Sequence, residues 1–354
     1  MKIISKISLL FLGMTAFFSC AESPSTDYVP VVPVDFLEVD TDTLSLRELI
    51  CEDYLASYPE AMLYVDDELI VQDRRGSRFL FHKIGKDGLE EFVQLGNGPE
   101  DYLDTNLNPF IGENGEIGFY DPAKRKVSLL KNNGGIYKTH KRLMMNNIDG
   151  QVREAVGCGD FYLATGQQGD FLNYRFLIVD SIGNIVSKCG NYPYIEPSFF
   201  SNPTEDIKKM LYSASFLRVS PNKQKAVFAS YNGALIQFFD LTFLPDSLKE
   251  VRSFQLARPI KHSQISATHA GWVYGFEDLY ATDNYVYAIY NGQTANENPE
   301  FGHSILVFDW SGNLKETYFV DMGIRSLAVD ESNNVLYLAG YDEGEMKLYV
   351  ASMK

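Results

Sequence analysis

Arginines and aromatic rings are the residues of this chain best suited to holding a ligand. Arg74, Arg75, Arg153, Arg175, Arg218 and Arg325 fall in segments that read as loops or strand ends, as do Tyr231, Trp272 and Tyr274. A planar guanidinium forks a carboxylate through two parallel hydrogen bonds, and an aromatic face stacks on a ring or on the apolar face of a sugar. Gathered at one mouth, these nine residues would suit a small acidic or sugar-like ligand. Catalytic residue types offer less. His82, His140, His262, His269 and His303 are scattered and form no dyad, so nucleophilic catalysis lacks a candidate base. GxSxG and HExxH motifs are absent, and Asp40-Thr41-Asp42 lacks the following glycine and distal glutamate of a calcium loop. Gly96-Asn97-Gly98-Pro99 has neither phosphate-loop spacing nor a helix start after it, and reads as a rigid turn. The chemistry leans towards binding rather than catalysis.

Such residues work together only if the fold converges them, and the sequence carries a repeat that could do so. Six short aromatic and β-branched runs begin at Leu69, Ile117, Phe161, Ala226, Tyr285 and Val335, spaced 48, 44, 65, 59 and 50 residues apart. That is the period of a propeller blade rather than of a helical repeat. The runs alternate with turns rich in Asp, Asn and Gly. One turn recurs between third and fourth strand signals: Gly85-Lys86-Asp87-Gly88, Asn132-Asn133-Gly134-Gly135, Ser181-Ile182-Gly183-Asn184 and Ser311-Gly312-Asn313. The last unit ends after three strands, whereas Val34 to Asp40 is a strand-like run without a blade. The expected architecture is therefore an all-β six-bladed β-propeller of four-stranded antiparallel blades over residues 34–354, closed by an N-terminal strand joining the last blade. One helix is expected, Pro203 to Leu211 with Asn202 as its cap, inside a long excursion.

The first residues read as an export signal: Lys2 and Lys6, an apolar run from Ile7 to Phe18 too short to span a bilayer, then Ser19 and Cys20. Residues 1–19 are expected to be a lipoprotein signal peptide, Cys20 the lipidated residue, and 20–33 a flexible tether rich in Ser, Pro and Thr. Removing residues 1–19 takes away two lysines and no acid, moving the net charge from −16 to −18. A nucleic-acid partner is not expected at that charge, and membrane association should come from the lipid alone. Cys51, Cys158 and Cys189 remain, an odd number, read as free buried thiols with a Cys158 to Cys189 bridge as the alternative.

Together these features resemble the TolB-like six-bladed propeller lipoproteins of Bacteroidota. The resemblance rests on Cys20, on Gly96-Asn97-Gly98-Pro99-Glu100-Asp101-Tyr102 after the first blade, and on blade strings such as Glu116-Ile117-Gly118-Phe119-Tyr120-Asp121. It implies architecture and an outer-membrane location, facing the periplasm or the cell surface, and brings no assigned reaction. The expected function is that of a lipid-anchored ligand-binding or protein-interaction module of the cell envelope, its partners a small acidic or sugar-like ligand or an envelope protein. Six-bladed lactonases suggest an alternative, a metal-dependent hydrolase or lyase using the central channel. Asn106, Asn108, Asp160 and Glu277 would then be the donors to a divalent cation. No other cofactor is expected.

Overall fold

The computed structural model describes residues 30, 39–51, 54, 56–74, 78–85, 88–98, 101–103, 107–193, 212, 214–257, 273–294 and 301–353. Each sequence repeat forms an antiparallel sheet whose strands follow one another in chain order. Two short strands come first, β1 (Thr41–Thr43) and β2 (Arg47–Glu48). Blade one then holds β3 (Pro59–Val65), β4 (Glu68–Asp73), β5 (Phe79–Gly85) and β6 (Gly88–Gln94). Blade two holds β7 (Phe110–Ile111), β8 (Ile117–Asp121), β9 (Lys126–Asn133) and β10 (Ile136–Met144). Blade three holds β11 (Gln151–Cys158), β12 (Phe161–Gln167), β13 (Phe176–Val179) and β14 (Ile185–Cys189). Blade four holds β15 (Ser215–Val219), β16 (Lys225–Ser230), β17 (Leu235–Asp240) and β18 (Lys249–Gln255).

The remaining strands are β19 (Phe276–Ala281), β20 (Tyr285–Tyr290), β21 (Gly302–Asp309), β22 (Leu314–Asp330), β23 (Val335–Asp342) and β24 (Glu345–Ser352). They form one continuous sheet, because β22 serves two blades. Its first half pairs with β21 as the outer strand of blade five, and its second half pairs with β23 as the inner strand of blade six. Between the two halves, at Asp321 to Arg325, no loop intervenes and the backbone stays extended.

The ring closes as expected in kind but not in place. Blade six receives its fourth strand from β2, antiparallel to β24 with Arg47 opposite Val350, and the Leu49 N–H donates to the Leu348 carbonyl at 2.8 Å. In addition, β1 runs parallel to β22, Thr41 opposite Thr317, as a fifth strand on blade five. The closing strand is thus Arg47–Glu48 rather than Val34 to Asp40. Residues 34–38 of that stretch lie outside the described residues, as do Cys20, the signal segment, the Pro203 to Leu211 helix and most of the tether. Of the tether only Pro30 is described, and its carbonyl accepts from the Gln255 N–H at 2.9 Å.

Wedge-shaped gaps between blades explain the aromatic content. Facing sheets stand roughly 10 Å apart, a distance that large rings fill. Phe81 meets Phe119 between blades one and two, Phe176 meets Phe228 between three and four, and Phe238 meets Phe308 between four and five, with ring centres 5.4, 5.5 and 5.8 Å apart. The recurrent turn is also real. Asp180 Oδ1 accepts the N–H groups of Ile182 and Asn184, and Asp309 Oδ1 accepts those of Ser311 and Asn313, with Gly183 and Gly312 at φ +90° and +75°. Cys51, Cys158 and Cys189 are all free, and burial pushes the Cys158 and Cys189 thiols up to about 12.

Candidate functional site at the channel mouth

The innermost strand of each blade borders the central channel, and the N-terminal ends of these strands enclose a cavity of about 410 Å3. In four blades the pairing with the second strand slips by one residue at this level: between Pro59 and Ala61, Val152 and Glu154, Phe276 and Asp278, and Ile324 and Ser326. The extra residue is charged every time. Glu60, Arg153, Glu277 and Arg325 occupy the four bulges, and all four line the cavity. Regular alternation would send these side chains against a neighbouring blade; a bulge releases one residue from the ladder and re-aims it. Blade four contributes Ser215 and Arg218 from an unbroken strand, and Asn108 enters just ahead of β7.

Charges at the mouth are matched rather than uniformly positive. Arg325 Nη2 pairs with Glu60 Oε1, and its guanidinium lies 5.6 Å from the ring centre of Tyr58. Burial would lower the Arg325 pKa, but Glu60, Tyr58, Asp278 and Glu277 together hold it above its ordinary value. Deeper in, Arg218 spans two buried carboxylates: Nη2 lies 3.1 Å from Asp278 Oδ1 and Nη1 3.7 Å from Glu154 Oε2. Its Nε donates to the Leu279 carbonyl at 2.9 Å, which ties blade four to blade five. Burial pushes the Glu154 carboxyl up to about 7, against the opposing pull of Arg218 and of the Leu217 N–H that Oε2 accepts at 2.7 Å. Glu277 and Asp278 are raised by the same desolvation.

Several polar atoms here lack partners. Among the described residues, Glu60 Oε2, Glu277 Oε2, Arg325 Nε and Ser215 Oγ are buried without a hydrogen bond, and all belong to cavity-lining side chains. Glu277 Oε1 does accept from Asn291 Nδ2. Aromatic faces complete the walls, from Tyr58, Phe216, Tyr231 and Phe301.

Of the residues proposed from sequence, Arg153, Arg218, Tyr231 and Arg325 meet at the cavity. Tyr274 stands beside it, its ring 5.1 Å from that of Tyr231. Arg74 is exposed at the end of β4 and does not line the cavity, while Arg75 and Trp272 lie outside the described residues. Arg175 requires correction, since it is a buried inter-blade cation and not a ligand contact. It packs on the rings of Phe176, Tyr212 and Phe228, donates to Gln237, and burial lowers its pKa to about 10. The sequence reading missed Glu60, Glu154 and Asp278. A signal existed in the repeated apolar–charged–x–apolar pattern of Pro59-Glu60-Ala61-Met62, Val152-Arg153-Glu154-Ala155, Phe276-Glu277-Asp278-Leu279 and Ile324-Arg325-Ser326-Leu327.

The proposed metal donors do not assemble. Asn108 and Glu277 reach the cavity, Asp160 lies in a turn on the opposite face, and Asn106 lies outside the described residues. Among the described residues no group of three or more His, Cys, Asp or Glu side chains converges as a cation site.

Comparison with known proteins agrees with this architecture. Residues 39–332 match a family described as TolB-like 6-blade propeller-like. No curated protein matches the chain. Among solved structures, a protein described as exported from Bacteroides fragilis is similar at 11% identity with a TM-score of 0.55, covering 92% of this chain and 97% of its own. The β-propeller domain of Cps50 (Swd1) from Myceliophteria thermophila has 12% identity and a TM-score of 0.50, with 88% and 100% covered. At such identities the likeness is one of fold.

Proposed function

Because the chain belongs to the TolB-like six-blade propeller family, whose fold leaves an open channel mouth, we propose that it is an exported binding propeller that seats a sugar-like ligand there. One observation carries the reading: four bulged inner strands deliver charged side chains into one cavity, where buried polar atoms stay unpartnered. Each such atom costs the fold about 1–3 kcal/mol, a cost that a ligand able to satisfy it would offset. Hydroxyl groups serve both needs, donating to Glu60 Oε2 and Glu277 Oε2 and accepting from Arg325 Nε. Tyr58 and Tyr231 supply faces for a ring. Because Arg218 and Arg325 are already paired, a purely acidic ligand fits less well than a polyhydroxylated one. Arg153 is exposed and unpaired among the described residues, free for one carboxylate on such a sugar.

Export and anchoring are part of the same proposal. The support is the Lys2 to Ser19 signal, the Cys20 that follows it, and the exported neighbour of the same fold. Acylated Cys20 would hold the propeller at the outer membrane, and Cys20→Ser should release it into the soluble fraction. For the site, the purified chain is screened against a glycan array and hits are titrated calorimetrically. Glu277→Gln and Arg153→Glu should each weaken the best hit tenfold or more; unchanged affinity in both variants, or no glycan above background, defeats the reading.

A further inference from the structure

On the opposite face, at the C-terminal ends of the inner strands, a second cavity of about 350 Å3 opens between blades two and three. Its size falls within the range of small-molecule sites. Its inner walls are apolar: Phe110, Leu129 and Tyr162 line it, each less than a tenth exposed. Gly157 keeps one wall open, since a Cβ there would come within 3.2 Å of the Phe110 ring. Its outer wall is the β9–β10 hairpin, and that hairpin has an unusual charge. Between residues 122 and 148 the sequence holds seven Lys or Arg and no Asp or Glu, in a chain of net charge −16.

Three of those cations are structural. Lys124 and Arg125 donate to backbone carbonyls, and Lys126 lies over the Tyr102 ring at 4.2 Å. Lys131 and Lys138 face each other directly across the hairpin, and Lys141 lines the cavity, all three exposed. No described residue forms an ion pair with any of the three. Like charges directly opposite destabilise a strand pair, and lysines that merely guard the exposed edge of β10 have no need of a like-charged neighbour on β9. Lys131 shares its face of β9 with Leu129, so the opposed pair adjoins the cavity. A bulge in β10 frees His140, whose Nε2 is held at 2.8 Å from Glu116 Oε1 in the same wall. Lys223 adds an ammonium that donates to the Ile111 carbonyl. Three acids also line the cavity: Glu116, which is paired with His140, Glu113 in the single 3-10 turn before β8, and Asp160 in the turn between β11 and β12.

We propose that this cleft is a second ligand site, for a small amphipathic anion: an aromatic or acyl body against Phe110, Leu129 and Tyr162, and a carboxylate or sulfonate head at Lys138 and Lys141. It is independent of the channel-mouth site. The test is a fluorescence titration of the full chain with 8-anilinonaphthalene-1-sulfonate, which has such a body and head. The expected result is saturable binding of one equivalent. The neutral N-phenyl-1-naphthylamine should bind at least tenfold more weakly, as should the sulfonate to a Lys138→Glu/Lys141→Glu variant of unchanged melting temperature. Arg153→Glu at the channel mouth should leave binding as it was. Unsaturable binding, equal affinity for the neutral amine, indifference to the lysine reversals, or loss on Arg153→Glu would each overturn the assignment.

Discussion

Replacing Glu154 by Gln should change how stability depends on pH, by an amount that the structure sets. The side chain is fully enclosed beneath the channel mouth, and its carboxyl titrates near 7 instead of the usual 4.5. The folded state therefore binds a proton that the unfolded chain gives up at lower pH. Below pH 4.5 there is no penalty; the penalty grows as pH rises from 4.5 to about 7 and is constant above that. At about 1.4 kcal/mol per pH unit of displacement, the ionised carboxylate costs the fold about 3 kcal/mol at pH 8. That cost is already net of the attraction to Arg218 and the hydrogen bond from Leu217. Gln keeps an oxygen for the Leu217 N–H and has no proton to lose. Melting temperatures of both proteins would be measured by calorimetry from pH 4.5 to 8. At roughly 2 °C per kcal/mol for a domain of this size, the variant should gain about 6 °C on the wild type across that range, over any constant offset. A difference curve flat to within about 1 °C, or falling with pH, would refute the assignment of a desolvated carboxyl.

Three further outcomes are expected. Arg175→Met should stay within about 1 kcal/mol of wild type in urea unfolding, because Arg175 Nε and Nη2 have no partners among the described residues and its surroundings are aromatic; Arg175→Ala should lose about 3 kcal/mol through the void it leaves. Neither change should alter ligand affinity at the channel mouth. His82 is buried, its imidazole pushed below its ordinary pKa by desolvation despite Asp73 and Glu91 nearby. Its contribution is present above pH 6.5 and lost as pH falls below that value, so His82→Phe should flatten the acid limb of the stability curve. Removing residues 1–49 takes away β1 and β2 and bares the edges of β22 and β24; size-exclusion chromatography should then show self-association, and a monomer of unchanged melting temperature would speak against ring closure by these strands.

The architecture was legible from the residues because a blade is a local object. Its turns need Gly at positive φ and Asp or Asn side chains that cap the backbone, as Asp180 to Asn184 and Asp309 to Asn313 show, its strands need β-branched and aromatic residues, and both recur at a blade-sized interval. The missing fourth strand of the last unit likewise implied closure by the N-terminus. Which residues closed it was not legible, since a two-residue strand such as Arg47–Glu48 carries no periodic signal. The site divides along the same line. Arg153, Arg218, Tyr231 and Arg325 were found because guanidinium and phenol groups in loops and near strand ends stand out. Arg175 looked no different in sequence, yet it lies among rings between two blades, since burial is fixed by what packs opposite. Three of the carboxylates at the mouth, Glu60, Glu154 and Asp278, went unseen for a related reason. Whether Glu60 or Glu277 faces the channel or a neighbouring blade depends on a one-residue slip in pairing, and that slip is settled by contacts between strands rather than within them.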